Sequence, residues 1–422
     1  MSDDAMSTVL AKLGEVRGDV EGWYRDLHAH PELGFNEIRT SALVARHLRR
    51  WGFSVDDQIG GTGVVGVLTN GAGPAVLLRA ELDALPIKER TGLPYASQVT
   101  GDGSAKAVMH ACGHDVHMAC LLGAAQLMAA TPGAWRGTLI ALFQPSEENG
   151  AGARAMIADG LTDRIPRPSV ALAQHVLNAP AGYVGTRPGP FLSAADTLRV
   201  VLHGRGAHGS KPEASIDPVV LAAMVVLRLQ TIVARELAAA DRAVVTVGSI
   251  HAGEGANVIP NSAELLINVR TFDEDVRARV LEAVTRMVRA ECQASRSPRE
   301  PEIEHLASFP ATVNDHEVTE RVAAAFHAHF GEAAETSDPL TPSDDFSQIP
   351  RVFGAPSTLW VIGSSDPTAY AAAERKGTLA EDIPVNHSPR FAPVLQPTLD
   401  TGVRALVVAA MAWLAASDTR LS

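Results

Sequence analysis

The run Gly137–Glu148, GTLIALFQPSEE, is apolar for most of its length and then closes on two adjacent glutamates. A strand with polar residues on one face alternates in hydropathy, whereas a continuous apolar run belongs to a central parallel strand covered on both sides. Val170–Val176, VALAQHV, has the same character. Gly63–Asn70, GVVGVLTN, and Ala75–Pro86, AVLLRAELDALP, read as two further strands separated by Asn70, Gly71, Gly73 and Pro74. Helical patterns fall between them. Val20–Trp51 has apolar residues at helical spacing with Gly52 as a stop, and His114–Ala130, HDVHMACLLGAAQLMAA, ends before Thr131, Pro132 and Gly133. Alternation of this kind predicts an α/β fold built on a mainly parallel sheet.

Between Ser193 and Ser308 the pattern changes. TLRVVLHGRG reads as a strand, and Asp217–Pro218 opens a long apolar helix with Asp as N-cap and Pro at its first position. AVVTVGSI and AELLINVRTF are strands, DEDVRARVLEAVTRMVRAECQ is an amphipathic helix with acids at its start, and PEIEHLAS is a last strand. The order βαββαβ is that of a ferredoxin-like α+β domain. The chain is therefore expected to form one domain from residues 1–192 and 309–422, with a second inserted at 193–308, within the two or three that 422 residues suggest.

Composition excludes several functions. With 36 Lys and Arg against 48 Asp and Glu, the net charge is −12 and no basic run interrupts it, which argues against nucleic acid as a partner. The start, MSDDAMSTVL, lacks the basic and apolar segments of a secretory signal, and no uninterrupted apolar run reaches membrane-spanning length. Three cysteines, Cys112, Cys120 and Cys292, are too few and odd in number for a disulfide framework and fit a reducing cytoplasm. GTGVVG at 61–66 and GRGAHG at 204–209 both fit the dinucleotide-binding glycine pattern, but one leads into a strand and the other into a loop. Neither opens a helix directly, so neither cradles a pyrophosphate.

Metal-capable groups gather at strand ends: Glu81 and Asp83, Glu147 and Glu148, His175, and the pair Cys112 and His114 in MHACGHD. In an open α/β sheet, sites form outside the carboxyl ends of the strands, where such groups meet. A thiolate, imidazoles and a carboxylate together suit zinc or another first-row transition metal. Of two adjacent glutamates, one can ligate while its neighbour takes a proton from water. A Cys112–His nucleophile is the alternative, but it leaves the acidic cluster unexplained.

RDLHAHPELGFNE, LLRAELDALPI, MHACGHDVHMA, FQPSEENGAGARAMIADG, GRGAHGSKPEASIDP, GANVIPNSAELLINVRTFD and NHSPRF occur in that order from about Trp23 to the final helix. Together they resemble the aminoacylase/carboxypeptidase metallohydrolase family, in the branch of hippurate hydrolase, plant indole-acetyl-amino-acid hydrolases and bacterial N-acyl-amino-acid amidohydrolases. The resemblance implies two divalent ions (zinc, manganese, cobalt or nickel) held by Cys112, His114, Glu148, His175 and His387. It implies Glu147 as general base and Asp83 as a carboxylate orienting a ligand or the bridging water. In the inserted domain His208 and Asn257 would reach over the substrate carbonyl, and Arg270 would hold the substrate's free carboxylate. That domain would act as lid and as the contact of a homodimer or tetramer, with His208 serving the partner subunit's site.

The expected reaction is hydrolysis of an N-acyl amino acid, a small molecule, to a carboxylic acid and an amino acid. A dipeptidase or carboxypeptidase is the second reading, and a metal-free binding relative the third. Glu81, Glu213 and Asp344 depart from the branch pattern, which has Asp, His and Glu there. His28, His30, His110 and His117 are expected to be structural or supporting.

Overall fold

A computed structural model describes residues 2–100 and 107–415. Two compact units emerge, one of Met1–Gly189, Val313–Asp338 and Asp345–Ser422, the other of Pro190–Thr312 and Pro339–Asp344.

The larger unit is built on an eight-stranded sheet. Ala75–Glu81 lies at its middle, parallel to Gly137–Gln144 on one side and to Val170–Pro180 on the other. Ser357–Ser365 continues the parallel run beyond Val170–Pro180. Toward the edge, Gly63–Asn70 and Ser54–Ile59 add antiparallel strands as a hairpin. The central strands are buried on both faces, as continuous apolar runs require. His114–Ala130 is buried on every side and packs with Leu13–Ala29 and with the last helix, Leu395–Leu414.

One expectation needs correction. Val20–Trp51 is not a continuous helix: Leu13–Ala29 ends at His30, and a new helix runs from Ile38 to Arg50. Pro31 cannot donate to the helix ladder and disfavours helical backbone at His30. The intervening Glu32–Glu37 crosses the sheet end, where Ala84 N donates to Glu32 O at 2.8 Å. The spacing of apolar residues does not by itself mark this break, whereas Pro31 does.

The second unit has the βαββαβ order. Its sheet runs Ala243–Ala252, Ser262–Thr271, Ala194–His203, Glu302–Phe309, with every neighbouring pair antiparallel. Helices Pro218–Thr231 and Glu274–Ala294 bury Leu221, Val225, Val280 and Val284 with Leu265 and Ile267 of the sheet. Asp217 caps the first helix, accepting from Val219 N at 2.8 Å. Continued to Glu236, that helix is 19 residues of mean hydropathy 1.6, long and apolar enough to cross a membrane. It is not an uninterrupted apolar run, because Arg228, Gln230 and Arg235 break it.

Candidate metal centre

The strand Val170–Pro180 creates the opening in which the candidate site forms. Its pairing with Ala75–Glu81 stops at Ala173, while its pairing with Ser357–Ser365 continues to Pro180. His175 lies just past the first of those limits, so one flank of the strand is free to face the neighbouring loops. Cys112 arrives there just before helix His114–Ala130, and His114 is the first residue of that helix. Gly113 between them has φ +86°, a left-handed turn that a side chain would strain, and a Cβ there would lie 2.3 Å from Val176 Cγ1.

Two imidazoles are fixed with one nitrogen bare. His175 Nδ1 donates to Val176 O at 2.8 Å, which leaves Nε2 facing Cys112 Sγ at 3.6 Å. His114 Nδ1 donates to Asp83 O at 2.8 Å, and its Nε2 lies 3.8 Å from Glu147 and 3.9 Å from Glu148. His114 Nε2 and Glu148 Oε1 are both buried with no hydrogen-bond partner. A backbone bond on one ring nitrogen selects the tautomer whose other nitrogen is a lone pair, the form that ligates metals. His387 has φ +67°, its N donates to Ala111 O at 2.7 Å, and its Nε2 sits 3.4 Å from Glu148 Oε2. Asn386 beside it donates to the carbonyls of Cys112 and Val176 at 3.0 and 3.1 Å.

Donor atoms of Cys112, His114 and His175 lie within 4.8 Å of one another, as do those of Cys112, Glu148 and His387 and those of His114, Glu147 and Glu148. The five proposed ligands and the proposed base therefore meet in one place. Burial pushes the Cys112 thiol well up, and Glu148 and Glu147 push it further. A nucleophilic cysteine needs the opposite environment. Burial holds His175 down at about 3. Burial also opposes charge on His114, yet Asp83 and Glu81 outweigh it and raise the ring to about 10. Glu148 stays below the usual carboxylate range, because His387 and His114 outweigh its burial.

Behind the cluster lies a charged network that motif reading did not single out. Arg79, fully buried, donates to Glu81, to Gln144 at 3.0 and 2.9 Å and to Asp345 at 3.3 Å. Its signal was visible as one guanidinium inside VLLRAE, a run otherwise apolar until its closing glutamate. Glu81, longer than the Asp the branch has there, accepts from His117 Nδ1 at 2.6 Å. His117 Nε2 accepts from Val176 N at 2.8 Å, so both its nitrogens are engaged. His28 is buried between Asp115 at 2.6 Å and Glu89 at 3.1 Å. His110 is buried with neither nitrogen hydrogen-bonded, and His30 is exposed with Nδ1 on Asp26 O.

In the second unit, Ala207–His208 pairs with Val258–Ile259, and Gly209 N donates to Asn257 O at 2.7 Å, which brings His208 and Asn257 together. His208 Nδ1 lies 2.7 Å from Ser210 Oγ. Arg270 stands apart from them near the end of its strand, held by Asn268 at 3.0 Å and Ser343 at 2.9 Å. Glu213 lies on an exposed turn.

The profile of Peptidase family M20/M25/M40 matches residues 77–385. Hippurate hydrolase of Campylobacter jejuni is 36% identical over 346 residues, covering 80% of this chain and 86% of that protein. N-acetyl-L-cysteine deacetylase of Bacillus subtilis is 37% identical over 330 residues, 77% of this chain and 76% of its own. Thermostable carboxypeptidase 1 of Saccharolobus solfataricus is 33% identical over 382 residues, 88% and 91% respectively. A dinuclear metal-binding peptidase of Bacillus subtilis superposes with a TM-score of 0.74 at 27% identity, covering 94% of this chain and 98% of that one. The chain belongs to Peptidase family M20/M25/M40 and is a hydrolase of that family.

Proposed function

We propose that the protein hydrolyses the amide bond of N-acyl amino acids, with acetyl, benzoyl or similar acyl groups, releasing a carboxylic acid and a free amino acid. The observation that carries this reading is a pair of buried atoms, Glu148 Oε1 and His114 Nε2, that have no hydrogen-bond partner and lie in a cluster with Glu147, Cys112, His175 and His387. Such a donor set fits divalent cations, and Glu148 shares one group with Cys112 and His387 and another with His114 and Glu147. Two ions bound there would polarise the scissile carbonyl and lower the pKa of a water.

The chain's own residues do the rest. Glu147 takes the proton of the attacking water and returns it to the leaving amine. Asp83 holds His114 through its carbonyl and holds Glu148 N at 3.0 Å through its side chain, so one residue orients both the ligand and the catalytic turn. His208 and Asn257 stabilise the oxyanion, and the Arg270 guanidinium binds the substrate carboxylate. The inserted unit is the lid and the contact of a homodimer, from which a tetramer can be built, with His208 acting in trans. Support comes from its helix Pro218–Thr231, where Val220, Met224 and Leu227 form an exposed apolar stripe. The strand Ala243–Ala252, at the edge of its sheet, adds exposed Val244 and Ile250.

The test is an assay of metal-loaded enzyme on N-acetyl and N-benzoyl amino acids, with and without chelator. Glu147→Gln is expected to bind substrate and abolish turnover, and full activity in that variant refutes the mechanism. A carboxypeptidase or dipeptidase reading is favoured by the likeness to thermostable carboxypeptidase 1. Free dipeptides and blocked peptides in the same assay separate the two. The cytoplasm remains the expected compartment, consistent with three buried, unpaired cysteines.

A further inference from the structure

Glu37 is fully buried, and the helix it precedes does not need its carboxylate. The first amides of Ile38–Arg50 are capped instead by Glu32, which accepts from Arg39 N at 3.1 Å and Thr40 N at 2.8 Å. Glu37 turns the other way. Its Oε1 accepts from Ser146 N at 2.8 Å, and its Oε2 accepts from the Thr62 hydroxyl. Burial pushes this carboxyl up to about 7, so the placement is costly and calls for a return elsewhere.

Ser146 immediately precedes Glu147 and has φ +46°, a left-handed backbone that a serine adopts only under constraint. The turn is further closed by Gly150 N on Glu147 O at 2.6 Å and Gly152 N on Ser146 O at 3.1 Å. Packing reinforces it: a Cβ at Gly34 would lie 2.5 Å from Ser146 Oγ and 2.8 Å from Asn149 Nδ2. Glu147 thus stands between two pinned amides. Glu148 N after it is held by Asp83, and Ser146 N before it is held by Glu37.

We infer that Glu37 is a positioning residue that fixes the aim of Glu147 by holding the amide of Ser146. This rests on Glu147 being the general base. A group that must meet a proton within hydrogen-bond reach loses rate steeply when displaced, of order 10²-fold for about 1 Å. Ground-state binding does not depend on that aim.

The experiment measures kcat, KM and metal content of metal-loaded full-length enzyme on the best-turned-over N-acyl amino acid. Glu37→Ala is expected to lower kcat about 30- to 100-fold, with KM within about threefold and metal content unchanged. Glu37→Gln, which keeps an acceptor for Ser146 N and an amide for the Thr62 hydroxyl, is expected to recover kcat to within about threefold of wild type. A merely structural role changes the amount of folded protein and leaves kcat per bound metal alone. Wild-type kcat in Glu37→Ala, or an equal loss in Glu37→Gln, overturns the inference. If Glu37→Ala does not fold, Thr62→Val decides, because it frees Glu37 on its other side: kcat should drop several-fold at unchanged KM, and an unchanged kcat overturns the inference. Glu147→Gln runs in parallel. If it is silent while Glu37→Ala is fully active, only the positioning role falls; if Glu147→Gln is itself fully active, the base assignment falls and the positioning role with it.

Discussion

Arg79→Met removes a buried guanidinium from the network behind the site while keeping a side chain of similar length and apolar stem. In the native protein Arg79 serves Glu81, Gln144 and Asp345, all fully buried. Gln144 keeps its own bond to Asp345 at 2.6 Å, Asp345 keeps Ala153 N at 3.2 Å, and Glu81 keeps His117. Glu81 and Asp345 nevertheless lose the guanidinium paired with them. Removing one partner of a buried ion pair typically costs about 3–5 kcal/mol, because the remaining charge stays desolvated. At roughly 2 °C per kcal/mol for a unit of this size, the melting temperature should fall by about 6–10 °C. The assay is thermal unfolding of chelator-treated wild type and variant, so that metal binding does not enter the comparison. The pH dependence sharpens it. Arg79 and His117 outweigh burial and hold Glu81 well below the usual carboxylate range. A depressed carboxyl stabilises the fold above its unfolded pKa, and that contribution is lost as pH falls below about 4.5. The gap between the two proteins should therefore be full at pH 7 and narrow in acid. A shift under about 2 °C at pH 7, or a gap that widens on acidification, would refute the reasoning.

Three further outcomes follow from the same geometry. His28 is raised to about 10: its burial opposes charge, but Asp115 and Glu89 outweigh it. A raised imidazole stabilises the fold fully below its unfolded pKa of about 6.5 and loses that contribution as pH rises toward 10. Wild type should thus lose up to about 1.4 kcal/mol per pH unit across that window relative to His28→Gln, measured by urea unfolding; parallel curves would count against the buried charge. Gly113→Ala places a Cβ against Val176 at a left-handed position, and at least about 1–2 kcal/mol of strain should appear as a lower melting temperature. Because the strain falls between Cys112 and His114, metal retained against a fixed chelator concentration should fall as well. Leu227→Asp puts a charge on the exposed stripe proposed as the homodimer contact, and sedimentation should show a smaller assembly than wild type at the same concentration.

Much of this architecture is legible in the sequence because burial on both faces leaves a plain mark. Runs such as LIALF and VALA have no polar residue to spare, so their strands and the chemistry following them announce themselves. Asp217–Pro218 announces a helix start in the same way, since its N-cap bond is local. The break at Pro31–Glu37 is marked locally by the proline, but what Glu37 does is not, because it serves a contact more than a hundred residues away. Its carboxylate binds Ser146 N, and no local pattern encodes that distance.

The same difference separates the parts of the site. The proposed ligands and base come with their neighbours: Cys112 and His114 flank a glycine in the left-handed conformation, and Glu147 and Glu148 follow a buried strand. The groups that position that cluster are scattered singly through the chain, as Glu37, Arg79, Gln144 and Asp345. Each is an ordinary polar residue until the fold buries it, and burial is what converts it into a constraint. An exposed glutamate at position 37 would be free to sample many rotamers and would fix nothing. Enclosed, with two donors and no water to exchange for them, it has one low-energy arrangement, and the amide preceding Glu147 is part of it. The donor atoms of this site state which chemistry is possible, and the buried single residues around them determine how accurately a proton can be placed.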